Sequence, residues 1–169
     1  MGTRRLLAIV SSLVALALPF AVAAPAAADE PLQSCWVSVD TGQSLCVDAG
    51  EDLVGAVEED GVDLDFGDTA GRGTNAEVVL SALYDDTGYG GATFIMSVSG
   101  GNCSTTAYGY TSLSPYGWDN RAESFRSYNG CVTAVFSNTN YGGTQYGYYT
   151  SSSNLGTGMN NQASSWRVQ

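Results

Sequence analysis

Two strings recur in the last 90 or so residues of this 169-residue chain, and both recur in the same order. YDDTGYGG (84–91) returns as FSNTNYGG (136–143), and DNRAESFR (119–126) returns as NNQASSWR (160–167). The alternation hairpin, clamp, hairpin, clamp makes the repeated unit a whole supersecondary module, so the fold must place two such modules side by side. Around the strings, Glu77-Val-Val-Leu-Ser-Ala-Leu-Tyr84 leads into the first hairpin and Thr93-Phe-Ile-Met-Ser-Val98 leads out of it. Cys131-Val-Thr-Ala-Val-Phe136 leads into the second. Tyr108-Gly-Tyr110 and Tyr146-Gly-Tyr148 form a further matched pair. Short apolar strands, Gly/Ser/Asn turns, ten Tyr and no long 3.6-residue periodicity predict an all-β sandwich. The hairpins are 52 residues apart, the clamps 41 and the Tyr-Gly-Tyr strings 38, so the first module carries a longer excursion after its hairpin, and Cys103 lies in it.

Aromatic-x4-aromatic-x-Gly, followed at a distance by Asn/Asp-Asn/Asp-x-x-Ser/Thr-Ser, resembles the microbial calcium-binding βγ-crystallins. The resemblance covers residues 77–169 and implies a double Greek-key β-sandwich. In the hairpins, two aromatics five apart fold over a sharp turn, and Gly91 and Gly143 supply positive φ. The Ser closing each clamp can pin the hairpin backbone. Those roles are structural, and metal-free members use them too.

The metal expectation rests on Asp119, Asn120, Glu123 and Ser124 in the first clamp, and on Asn160, Asn161, Ser164 and Ser165 in the second. Calcium takes about six to eight oxygens at about 2.3–2.6 Å from carboxylate, amide, hydroxyl and carbonyl groups. The resemblance implies two sites, each borrowing from both clamps, with backbone carbonyls at Asp85 and Ser137 contributing. The second clamp fits the pattern throughout. The first departs at Glu123, where Ser or Thr is usual. The competing reading is a metal-free turn stapled by Asn and Ser.

Upstream, Arg4 and Arg5 precede an apolar stretch to Val22, and Ala26-Ala27-Ala28 supplies small residues for a signal peptidase. A secretory leader over 1–28 is expected, with a membrane anchor as the alternative. Beyond residue 28, four Arg and no Lys or His stand against 17 acids, a net charge of −13. That balance argues against nucleic acid or anionic membrane as partner and favours cations. An extracellular monomer is expected. The four cysteines allow three connectivities; Cys35–Cys46 and Cys103–Cys131 are expected, each pair lying within one compositional segment. A four-thiolate zinc site lacks any close C-x-x-C pair.

Residues 29–75 read as an acidic extension opening with a stapled hairpin in CWVSVDTGQSLCV (35–47), with the boundary to the main domain (76–169) near Asn75. Residues 48–68 hold nine acids and no base and read as a solvated segment. Asp63-Leu-Asp65-Phe-Gly67-Asp68 starts like an EF-hand loop, but Gly67 occupies the third acidic position and no Glu closes the loop.

Without His or Lys, Ser-His-Asp, Cys-His, Schiff-base and Ser-Lys chemistry are excluded, and no spacing selects a carboxylate pair for glycoside hydrolysis. An enzyme is not expected. Trp118, Trp166 and Phe125 read as core rather than as a carbohydrate platform, and Arg126 and Arg167 as surface residues or partners of acids. Two functions remain: a calcium-stabilised extracellular domain, or, by the same resemblance, an inhibitor of an extracellular metalloprotease or an antifungal toxin. An inhibitor would present the excursion at 102–106. A cell-surface component is a further possible partner class.

Overall fold

The computed structural model describes residues 32–67 and 76–169. The expected leader, its cut after Ala28 and the boundary near Asn75 lie outside the described residues. In chain order the strands are β1 (Gln33–Ser38), β2 (Ser44–Asp48), β3 (Leu64–Asp65), β4 (Glu77–Tyr84), β5 (Thr93–Ser99), β6 (Tyr108–Tyr110), β7 (Ser124–Ser127), β8 (Thr133–Asn138), β9 (Gly142–Tyr149), β10 (Ser151–Ser152) and β11 (Ser165–Val168). A helix, α1 (Leu53–Glu59), stands between β2 and β3.

The two modules are interlocked. The first contributes β4, β5, β6 and β7, the second β8, β9, β10 and β11. One sheet runs β10-β7-β4-β5 and continues to β1 and β2; the other runs β6-β11-β8-β9. Each module therefore lends its third strand to the edge of the other's sheet, which is a pair of intertwined Greek keys. This exchange makes neither module a closed unit on its own.

Between the sheets lies a core of Leu80, Leu83, Phe94, Met96, Trp118, Phe125, Val135 and Trp166, all fully buried. Trp118, Trp166 and Phe125 are thus core residues, as expected, Phe125 and Trp166 at equivalent positions of the repeat.

The N-terminal segment belongs to the first sheet. β1 pairs parallel with β5, Cys35 opposite Phe94 and Val37 opposite Met96. Side chains alternate along β1: Cys35 and Val37 point into the main core, Trp36 to the outer face. The outer face is covered by α1, whose Leu53 and Val57, four apart, pack with Trp36, Leu64, Val79, Ala82 and Ile95. Asp52 caps the helix by accepting from Gly55 N at 3.0 Å. The expectation of a solvated segment over 48–68 is corrected here. The helix needs only two apolar residues to dock, and its own acids, Glu58 and Glu59, are exposed, as are Asp52 and Asp60 at its two ends. The EF-hand-like string is likewise a strand: Leu64 and Asp65 form β3, both buried, pairing parallel with the start of β4 where β7 does not reach. Asp68 lies outside the described residues.

Both expected disulfides are present, Cys35–Cys46 across β1 and β2, and Cys103–Cys131 tying the long excursion to the chain two residues before β8, where the second module begins.

Candidate metal centre

The hairpins and clamps form matched sets of contacts. In the first hairpin Tyr84 packs edge-on against Tyr89 at 5.8 Å, and in the second Phe136 against Tyr141 at 5.7 Å. Gly91 and Gly143 have φ of +74° and +72°, and a Cβ at either would collide with Asp85 Oδ1 or Ser137 Oγ. Ser124 Oγ donates to Asp86 O at 2.6 Å and accepts from Tyr89 N at 3.1 Å. Ser165 Oγ donates to Asn138 O at 2.6 Å and accepts from Tyr141 N at 3.0 Å. These two hydroxyls, both buried, are thereby committed to pinning the hairpins.

The clamps face each other. Asn120 N donates to Ala163 O at 2.8 Å, and Asn161 N returns the bond to Ala122 O at 3.1 Å. Asn120 and Asn161 share a φ of 56°, a left-handed conformation that Asn tolerates better than most side chains. Each clamp also hangs from its own hairpin: Glu123 N donates to Tyr84 O at 2.9 Å, and Ser164 N to Phe136 O at 2.8 Å. This is how a side chain from one clamp comes to stand beside the Asn pair of the other.

Around the first hairpin the structure brings together Asp85, Glu123, Asn160 and Asn161. Asn161 Nδ2 donates to Glu123 Oε1 at 2.5 Å, and Asn160 Nδ2 approaches Glu123 Oε2 at 3.5 Å. Asn161 and Asp85 line one cleft of about 650 Å³. Asn160 Oδ1 is buried without a hydrogen-bond partner, an acceptor held out of water and left open. The group fits a hard cation: carboxylate and amide oxygens, one of them already desolvated and unsatisfied. Among the described residues no three His, Cys, Asp or Glu side chains gather, so any cage here is built mostly of amide and carbonyl oxygen.

The second set is more open. Asp119 and Asn120 are exposed, with Asn120 Nδ2 donating to Asp119 Oδ2 at 3.0 Å. Ser164 is buried at the base of its hairpin, and Ser137 Oγ accepts from Thr144 N at 2.8 Å. No side-chain hydrogen bond joins Asp119 or Asn120 to Ser137 or Ser164.

Sequence reasoning missed Arg121. Its Nη2 pairs with Asp85 Oδ2 at 2.8 Å, its Nη1 donates to Gly117 O at 3.0 Å, and its guanidinium lies 4.2 Å from the centre of the Trp118 ring. The signal was available in the repeat, where Arg121 corresponds to Gln162. Among the described residues Arg126 and Arg167 pair with no acid; Arg126 is exposed and Arg167 half-buried. They sit over Tyr89 and Tyr141 at 3.9 and 5.5 Å, another matched pair. The excursion at 102–106 is largely exposed and held at Cys103; Asn102 Oδ1 accepts from Ser104 N at 3.0 Å.

No family model and no curated protein matches the chain. Among solved structures it resembles microbial βγ-crystallin domains. One from Clostridium beijerinckii is 23% identical over 53% of this chain and 95% of that one, with a TM-score of 0.41. One from Flavobacterium johnsoniae is 24% identical over 53% and 93%, with a TM-score of 0.41. The N-terminal domain of Protein S is 21% identical over 53% and 94%, also at 0.41.

Proposed function

We propose that this protein is an exported, non-catalytic calcium-binding domain with two oxygen cages between its Greek-key modules. The reading is carried by one observation: Glu123 of the first clamp accepts from Asn160 and Asn161 of the second, while Asn160 Oδ1 is buried and unpartnered. The two Asn amides now serve as the positive partners of the Glu123 carboxylate. A divalent cation would replace their N–H groups in that role and take up amide oxygen as well. Glu123, Asn160, Asn161 and the chain at Asp85 would hold the first ion; Asp119, Asn120, Ser164 and the chain at Ser137 would hold the second. Bound calcium supplies charge that cross-links the clamps, and the chain's acidic excess favours its approach.

With few carboxylates per cage, affinities of about 10⁻⁴–10⁻³ M are expected, the range of extracellular modules. At tenfold excess over Kd, each site would stabilise the fold by about 1.4 kcal/mol. Calcium titration by calorimetry or terbium luminescence is the test. Added calcium should raise the Tm and EGTA should lower it. Asn161→Ala should weaken the first site and Ser164→Ala the second. No heat and no Tm shift at millimolar calcium would end the reading.

A further inference from the structure

Besides Glu123, which stands where the second clamp has Ser164, the two cages differ at a pair of positions that contact each other in the fold. Where the second module has Ser137 and Gln162, the first has Asp85 and Arg121. Asp85 keeps the local duty of its counterpart: its Oδ1 accepts from Ala92 N at 2.6 Å, as Ser137 Oγ accepts from Thr144 N at 2.8 Å. That duty needs only one oxygen. The remaining Oδ2 goes to Arg121, in a pair whose side chains are only 13% and 14% exposed. Arg121 is held on three sides, by Asp85, by Gly117 O and by the face of Trp118, so its charge is fixed in place. It lines the same cleft as Asn161, and that cleft is further walled by Leu32, Ala49 and Gly50 from the N-terminal segment.

We infer that the Asp85–Arg121 pair sets the divalent-cation affinity of the first cage, with Arg121 cancelling the Asp85 carboxylate that would otherwise face the ion. The inference rests on the proposed calcium reading. Counting Asp85, Glu123 and Arg121, the first cage carries one net negative charge, with the exposed Asp86 adding another at the rim of its cleft, and the second carries one from Asp119. The pair thus adds a carboxylate and neutralises it in the same stroke. Removing Arg121 unmasks a second negative charge; removing Asp85 leaves a positive charge facing the incoming cation.

The test is calorimetric calcium titration of the full chain and of Arg121→Gln, Asp85→Ser, their double variant and Arg121→Lys. Gln and Ser are the second module's own residues, and Ser retains an oxygen for Ala92 N. Arg121→Gln should tighten one of the two sites by about tenfold, the scale of a unit charge beside an ion at a partly buried site. Asp85→Ser should weaken the same site by a similar factor. The double variant should return to within about threefold of the starting affinity, and Arg121→Lys should change it little. A merely structural ion pair would weaken binding in both single variants, and that result overturns the inference. So does an unchanged first site in Arg121→Gln when two sites are measurable, which leaves the calcium reading standing. Absence of binding in both the parent chain and Arg121→Gln overturns the calcium reading and this inference together.

Discussion

Ser124 and Ser165 each hold a hairpin by one hydroxyl, donating to one backbone carbonyl and accepting from one backbone N–H. Both are buried, so removing the hydroxyl strands both backbone partners away from water. Ser124→Ala and Ser165→Ala should each destabilise by about 1–3 kcal/mol in denaturant unfolding. Calcium affinity should fall less, because the hydroxyls serve the hairpins. Asn161 combines two duties, a left-handed backbone and an amide at the cage. Asn161→Gly retains the first at little cost and loses the second. It should keep the apo Tm within a few degrees while weakening one calcium site, and a large loss of apo stability would show that the amide is mainly a structural staple.

At the scale of elements, the N-terminal hairpin is an integral part of the first sheet. β1 continues that sheet beyond β5, and Trp36 joins strand and helix, its Nε1 donating to Ser97 Oγ at 2.8 Å; Ser97 Oγ in turn donates to Glu77 Oε2 at 2.7 Å. Trp36→Ala should cost about 3–5 kcal/mol, the usual penalty for emptying a buried aromatic site. Because β1 and β5 share one sheet and one core, the chain should unfold in a single transition, with calorimetric and van't Hoff enthalpies in agreement. Two resolved transitions would show the segment to be an independent unit. Breaking Cys35–Cys46 with a Cys→Ser pair should cost about 3 kcal/mol through loss of an 11-residue closure.

For the molecule as a whole, two half-buried tyrosines set an alkaline limit. Burial, reinforced by the hydrogen bond to Tyr128, raises the Tyr84 hydroxyl above its ordinary value of 10.0. Burial and the neighbouring Tyr116 do the same for Tyr110. Above pH 10 the unfolded chain releases these protons while the folded chain retains them, so the unfolded state binds fewer protons and stability falls as pH rises. The contribution is fully present below the unfolded value of 10.0 and is lost toward the raised folded values. Tm measured from pH 8 to 11 should decline above pH 10, and Tyr84→Phe should flatten that decline. An unchanged slope in the variant would assign the alkaline loss to other groups.

Much of this architecture was legible in the repeat. The aromatic spacing, the turn glycines, the closing serines and the cysteine segments each impose a short-range geometry that any chain bearing them must satisfy, and the structure satisfies them twice. The exchange of β6 and β10 between sheets, the parallel docking of β1 on β5, and the meeting of Glu123 with the opposite Asn pair depend on contacts between residues far apart in the chain, and no local pattern encodes such partners. The helix under the acidic segment was hidden for a related reason. Two inward side chains suffice to dock it, and the nine acids in the sequence over 48–68 dominate any reading by composition. Arg121 stands on the same divide: its mismatch with Gln162 is plain in the sequence, but its charge acquires a partner only where folding closes the distance to Asp85.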